Sequence, residues 1–275
     1  MQGILAIAHL TWIEARRRRI VLAAVLCGLA FLLVFGTVIH FTSIDPVPVS
    51  SPLNRIKLQA MSLLGLYAVN FLVAAFAVML PVDTLSGEIA SGVMQTIAAK
   101  PVRRIDILLG KWLVYWLILA GYILLLSLGV VGIMWFLRGF AQVNLPAALG
   151  LMQLEASVLL SITLAGGARL STVTNGIVAF AFFSLGFIGG WIEQIGVFVG
   201  SPASRYIGTA ISLVIPTDAM WRLAMYLLQP PVMSRIQLGP FSSGAVPSMA
   251  MVWWAVAYAV GVFWLAARWF RRRAL

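Results

Sequence analysis

Six long apolar runs limit what this chain can fold into. Each is about 20 residues or longer, the length that an α-helix needs to cross the roughly 30 Å hydrocarbon core of a bilayer. The runs cover residues 20–41, 58–82, 112–137, 146–164, 176–200 and 246–267. A helix also satisfies its own backbone hydrogen bonds, as the bilayer requires. We therefore predict an all-α integral membrane protein, with six transmembrane helices in a single domain over 1–275.

The composition excludes several classes of soluble protein. Of the 275 residues, 62% are hydrophobic and only 10% are charged, whereas soluble domains are about half apolar and a quarter charged. The net charge of +11 does not indicate nucleic acid, because the basic residues lie at the ends of the apolar runs. There they meet lipid headgroups. We expect membrane lipid as a partner, and no nucleic acid.

The basic residues also predict the orientation, because Lys and Arg are enriched on the cytoplasmic side. Four arginines at 16–19 precede the first run, and six spans return the arginines at 268 and 271–273 to the same side. An odd number of spans would put that arginine-rich tail outside. We predict a multi-pass protein of the cell inner (cytoplasmic) membrane, with both termini cytoplasmic.

Two segments outside the runs are predicted to be helices at the membrane surface. Residues 1–19 form an N-terminal interfacial helix. In the extracytoplasmic segment 201–245, the apolar stretch 206–215 is too short to span, and Pro216 ends it. Thr217 or Asp218 can cap a second short helix. Whether 206–228 dips into the membrane is left open by the sequence.

The loop between the second and third spans has a helical pattern. Its apolar residues recur every four positions, with polar residues opposite them: Leu85, Ile89, Val93 and Ile97 against Ser86, Glu88, Ser91 and Gln95. This predicts an amphipathic cytoplasmic helix over 83–100, parallel to the membrane. Pro101 ends this helix and can begin the next one. On periodicity alone, an ordinary interfacial helix with basic headgroup anchors is favoured over an element that transmits a push from a cytoplasmic partner.

The same loop resembles a known family. The pattern Glu88-x-x-x-Gly92, Pro101-Val102-x-Arg104 and Gly110-Lys111 is similar to the coupling-loop signature of type 2 ABC transporter permeases. Arg103 adds a second basic residue to it. Residues 13–16 resemble the family's N-terminal Glu-x-x-Arg elbow. Pro216-Thr217-Asp218 with Arg222 resembles a subgroup that includes the permeases of copper-enzyme (nitrous oxide reductase) maturation systems.

The resemblance implies a permease subunit, not an enzyme, that couples ATP hydrolysis by a separate ABC ATPase to movement of an unidentified substrate, with export as the expected direction. It implies a permease homodimer, or a pairing with a relative. The coupling residues would be Asp83, Leu85, Glu88, Ile89, Gly92, Pro101, Arg103, Arg104, Gly110 and Lys111. Among them, Glu88 would contact the ATPase, Gly92 would allow close approach, and the arginines would anchor the loop to lipid phosphates or the partner.

The chain itself lacks a phosphate-binding loop. The phosphate-binding motif G-x-x-x-x-G-K-[ST] requires a glycine five residues before its Gly-Lys pair. Five residues before Gly110 the chain has Ile105. His9 and His40 are predicted to lie on opposite sides of the membrane, which disfavours a catalytic dyad or a metal cluster. We expect no cofactor. Two alternatives to the transporter are an ATP-driven mechanical membrane scaffold for a periplasmic partner and a stand-alone channel.

Polar residues within the runs suggest a substrate path. Glu155 lies about nine residues into the fourth run, where an ionised carboxylate is costly, and Asn70 lies in the second. Glu155 is either a substrate- or proton-path residue or a structural group bonded to Asn70, Ser157 or a threonine. Gly186-x-x-x-Gly190 predicts a close helix contact of the fifth span within one subunit.

Overall fold

The computed structural model describes residues 2–42, 51–92, 94, 103–229 and 246–273. Throughout these ranges the regular structure is helical and no strand occurs. The helices are α1 (Gln2–Arg17), α2 (Arg19–Phe41), α3 (Pro52–Met79), α4 (Thr84–Ala90), α5 (Arg104–Arg138), α6 (Leu145–Gly167), α7 (Thr172–Val199), α8 (Pro202–Val214), α9 (Thr217–Leu228) and α10 (Met249–Arg272).

The predicted all-α membrane protein with six spans is confirmed. In the described part of the chain, six helical stretches are long and apolar enough to cross a membrane: α2, α3 with the short α4 that follows it, α5, α6, α7 and α10. The boundaries differ from the predicted runs where local chemistry overrides hydropathy. The helix α3 ends at Met79, before Pro81, which has no N–H with which to continue the ladder. The helix α5 begins at Arg104, eight residues before the predicted 112, since polar residues extend it beyond the apolar run.

The helix α6 forms the centre of the bundle. In its most apolar window 67% of the residues are buried, against 6% for α2 and 17% for α10. It packs against α3, α5, α7, α9 and α10. The peripheral helix α2 instead exposes large apolar side chains, among them Leu22, Leu33 and Phe41. Such a surface is suited to lipid or to another membrane subunit.

Arginine contacts define one end of the bundle. Arg104 Nη1 donates to the carbonyl oxygen of Arg273 at 2.7 Å, and Arg273 Nη1 donates to that of Ala168 at 2.7 Å. The start of α5 and the ends of α6 and α10 therefore meet there, and we call this the basic end. At the opposite end Arg138 Nη2 donates to the carbonyl oxygens of Ile39 and, at 2.6 Å, Thr42. The first and last described residues both lie at the basic end.

The segment after α7 forms a bent pair of short helices. The helices α8 and α9 are bent by 108° at Pro216. The helix α8 packs along α7, whereas α9 lies inside the bundle against α6. Of the 12 residues of α9, all but Tyr226 and Leu227 are buried. The two predicted short helices are therefore present, and α9 reaches into the bundle because its polar residues find partners inside the protein. Residues 230–245 of the predicted segment lie outside the described residues.

Candidate functional site

The predicted coupling helix is interrupted at Gly92. The helix α4 covers only Thr84–Ala90, and the chain turns at Gly92, whose φ is +76°. This left-handed conformation suits glycine, which lacks a Cβ. A continuous helix over 83–100 is therefore wrong, because Gly92 interrupts it. Pro101, with residues 95–102, lies outside the described residues.

The helix α4 is packed on two sides. Leu85 is fully buried and Ile89 is half-buried against the core, as the apolar stripe predicts. Ser86, expected on the polar face, is also buried, and its hydroxyl shares a hydrogen bond of 2.8 Å with that of Thr172 at the start of α7. Asp83 is exposed, and its Oδ1 accepts a hydrogen bond of 3.0 Å from Thr172. Both bonds join α4 and its preceding turn to α7.

Glu88 forms an ion pair within the protein. Lys111 Nζ donates to Glu88 Oε1, and the two side chains are only 4% and 11% exposed, respectively. Glu88 thus joins α4 to α5, and its contact with a partner stays a prediction. Its Oε2 has no hydrogen-bond partner among the described residues. The sequence placed both residues in one motif but did not indicate that they pair with each other.

A groove of about 530 Å³ lies between α1, α4 and the beginning of α5. The groove is lined by charged side chains and by the apolar side chains of Ile7 and Leu10. Arg18 Nη2 lies 2.5 Å from Glu14 Oε1 on the α1 side. The charged residues of the lining are Glu14, Arg18, Asp83, Glu88 and Lys111. The groove thus combines the N-terminal elbow with part of the predicted coupling loop.

Gly110 allows α1 to pack closely on α5. A Cβ at this position would lie 2.9 Å from Ile7 Cγ2 and 3.1 Å from the carbonyl oxygen of Ile4. Both distances are too short for ordinary van der Waals contact. The part of the predicted motif at Gly110 therefore holds the N-terminal helix against the bundle and shapes the groove.

The two arginines of the motif have different surroundings. Arg103 is exposed, as a headgroup or partner anchor would be. Arg104 Nη1 donates to the carbonyl oxygens of Phe270 and Arg271, both at 3.2 Å, as well as to that of Arg273. These carbonyls end α10 and lack intrahelical partners. Arg104 therefore caps α10, a contact within the protein that the sequence analysis did not anticipate.

The predicted substrate-path residues do meet. Asn70 Nδ2 donates to Glu155 Oε1 at 3.3 Å, and the two residues are 7% and 2% exposed. This is the contact with Asn70 that the structural alternative anticipated. Together they line a cavity of only about 10 Å³, enough for roughly one water.

A buried ionic cluster beside this cavity was missed by the sequence analysis. Arg222 Nη2 lies 2.9 Å from Glu193 Oε2, and Arg222 Nε lies 2.8 Å from Asp218 Oδ2. Ser212 Oγ accepts from Arg222 at 3.1 Å. The cluster joins α7, α8 and α9. The i,i+4 spacing of Asp218 and Arg222 was a usable signal, but nothing in the sequence connects Glu193 to them.

Breaking only one half of the Glu88–Lys111 pair should destabilise the protein. We expect Lys111→Met to lower the free energy of unfolding by about 1–3 kcal/mol, because it leaves a shielded carboxylate without its donor. Lys111→Met combined with Glu88→Gln should recover most of the loss. Thermal unfolding of the purified chain in detergent measures both. Equal loss in the single and double variants would contradict the pairing.

Comparison of the sequence with protein-family models and with curated proteins finds no match in either case.

Proposed function

We propose that the chain is the membrane-spanning permease subunit of an ABC transporter and that a separate ATPase contacts it at the basic end, beside α4. One observation carries the proposal. Glu14, Glu88 and Lys111 come from three separate segments that resemble permease motifs, and all three line one groove. Gly110, from the same motif as Lys111, packs α1 against that groove. The permease resemblance accounts for all of these residues together.

The contacts of α4 are suited to transmitting a force into the bundle. On one side Glu88 connects α4 to α5 through Lys111. On another, Ser86 connects it to α7 through Thr172. A displacement of α4 by a partner would therefore move the ends of two spans together, as rigid elements do in domain movements. Ala90 and Ser91 remain exposed at the end of α4, where a partner can reach them.

The proposed orientation puts the basic end in the cytoplasm of an inner-membrane protein, in agreement with the positive-inside rule. The ATPase and its ATP would then be on the same side as α4. The exposed apolar faces of α2 and α10 are available to lipid and to a second permease copy in the proposed homodimer. The substrate would be exported, and a hydrophobic cargo suits helices of this composition.

A second candidate function is an ATP-driven mechanical scaffold for a periplasmic partner. The cavity beside Glu155 and Asn70 holds about 10 Å³, which is too small for a substrate. This observation favours a path formed between two copies, or mechanical work without cargo. A transport assay with reconstituted complex distinguishes the two functions, because only the permease moves a solute.

Substituting Ser91 tests the ATPase contact. Ser91 is exposed at the end of α4, and we expect Ser91→Trp to block the partner sterically. Tagged chain purified from its native membrane should carry an ATP-hydrolysing subunit. With Ser91→Trp, the ATP hydrolysis that co-purifies should fall by about tenfold or more, equivalent to about 1.4 kcal/mol of lost binding.

The matched control is Ala203→Trp, an exposed position on α8 at the opposite end. It should retain wild-type ATP hydrolysis, because the proposed partner does not reach that end. Absence of an ATP-hydrolysing subunit from the wild-type preparation would contradict the proposed function. So would equal activity in the two tryptophan variants.

A further inference from the structure

The small cavity beside Glu155 is lined by oxygen atoms that lack hydrogen-bond donors. Asn70 Oδ1, Glu155 Oε2 and Thr217 Oγ1 have no hydrogen-bond partner among the described residues. All three residues are at least nine-tenths buried, and all three line the cavity. Asp218 also borders it, with its carboxylate paired to Arg222 at 2.8 Å. Buried polar atoms are rarely left unpaired in folded proteins.

What these oxygen atoms lack is a hydrogen-bond donor. An ionised carboxylate and an amide oxygen only accept hydrogen bonds, and a threonine hydroxyl donates one. The Nδ2 group of Asn70 already donates to Glu155 Oε1. Asn70 Oδ1 and Glu155 Oε2 therefore both lack a donor, and the Thr217 hydroxyl donates to neither of them. A proton on Glu155 Oε2 would convert one acceptor into a donor, and one water in the cavity would supply two more.

The charges around the cavity lead to the same conclusion. Two buried carboxyl groups come from α6 and α9 and a half-buried one from α7, whereas the cationic member of the cluster is Arg222. The titratable groups of the cavity and the cluster include Glu155, Asp218, Glu193 and Arg222. If all four were ionised, together they would carry two net negative charges. Besides Glu155 and Asp218, the cavity lining has one further titratable residue, Tyr67 from α3. Neither α5 nor α10 contributes a residue to this lining. Unpaired buried charge is strongly unfavourable.

A line of polar contacts leads from this cavity to the exposed Thr209 on α8, towards the end of α7 opposite the basic end. The exposed Thr209 donates to Glu193 Oε1 at 3.1 Å. The other oxygen of Glu193 pairs with Arg222 at 2.9 Å, and Arg222 pairs with Asp218. Asp218 then borders the cavity that contains Glu155 Oε2. Two proton-accepting carboxylates thus lie between the outside and Glu155.

We propose that this cavity is a proton-binding site, in which Glu155 holds an exchangeable proton on Oε2 next to one water. The proton enters from water at the end opposite the basic end, past Glu193 and Asp218. Uptake forms the O–H bond of a neutral carboxylic acid, and release leaves a carboxylate. A sodium ion fits less well, because Arg222 already occupies the Asp218 carboxylate.

Infrared spectroscopy of the full chain in lipid nanodiscs tests the site without any ATPase. At neutral pH we expect the carbonyl band of a neutral carboxylic acid, which shifts in D₂O because the proton exchanges. Glu155→Gln, which mimics the protonated acid, should fold and lose this band. The matched control Asp106→Asn, in the first turn of α5, should retain it. Carbon-13 labelling of glutamate carboxyls assigns the band in the unmutated protein.

Three results would overturn the proposal. One is the absence of the neutral carboxyl band from the wild-type protein at neutral pH. Another is a band that does not shift with labelled glutamate, or that survives Glu155→Gln, since either would assign the proton to another group. The third is stabilisation by NaCl but not by KCl at equal ionic strength that Glu155→Gln abolishes, which would indicate a sodium site.

Discussion

Arg222→Met should lower the free energy of unfolding by about 3–5 kcal/mol, the usual loss when one partner of a buried ion pair is removed. Arg222 is 2% exposed, and it pairs with Asp218 and Glu193. Methionine has similar length but leaves both carboxylates without their cation. Because α7, α8 and α9 meet at this side chain, we expect loss of folded protein during purification, measured as monodisperse yield and thermal unfolding in detergent.

The control removes the charges together. Arg222→Met with Asp218→Asn and Glu193→Gln leaves no unpaired charge in the cluster, and buried ion pairs can be replaced by neutral residues at little cost. This triple variant should therefore be more stable than the single one. If the single variant unfolded at the wild-type temperature, the buried cluster described here would not exist in the protein.

Gly190→Ala should have the second largest effect. A Cβ at Gly190 would overlap the carboxylate of Asp218, which is itself held by Arg222. The methyl group therefore has to push α9 away from α7 or break the ion pair. Overpacking of this kind costs about 1–3 kcal/mol, and we expect the upper part of that range. The unfolding temperature in detergent gives the measurement.

Gly132→Ala is a control with the same chemical change. Gly132 lies within α5, and a Cβ there would have none of the described atoms within 4 Å. Alanine favours the helix by up to about 1 kcal/mol, so this variant should be as stable as the wild type or more so. Equal destabilisation by both substitutions would show that the close α7–α9 approach does not matter.

The sequence predicted the features of this protein that depend on hydropathy. The apolar runs gave six spans because a helix has to be long enough to cross a bilayer. They also gave the buried face of α4, through Leu85 and Ile89. The glycine spacing correctly predicted a close contact within one chain, because Gly186 faces Thr217 and Gly190 faces Asp218.

Contacts between residues that are far apart in the sequence could not be predicted from hydropathy. Periodicity continued through Gly92, although its positive φ breaks the helix there. The sequence left open how deeply α9 lies, because its burial depends on the pairing of Asp218 with Arg222 and of Arg222 with Glu193. Lys111 was recognised as part of a motif, but its ion pair with Glu88 depends on how α4 folds back onto α5.

Photo-crosslinking from Ser91 tests the central claim most directly. A photoreactive phenylalanine analogue at this exposed position is irradiated in intact cells, and the same analogue at Ala203 is the control. We predict an adduct from position 91 with a subunit that a photoreactive ATP analogue also labels, and no such adduct from position 203. The account would be contradicted if position 91 gave no ATP-binding adduct, or if position 203 gave the same one.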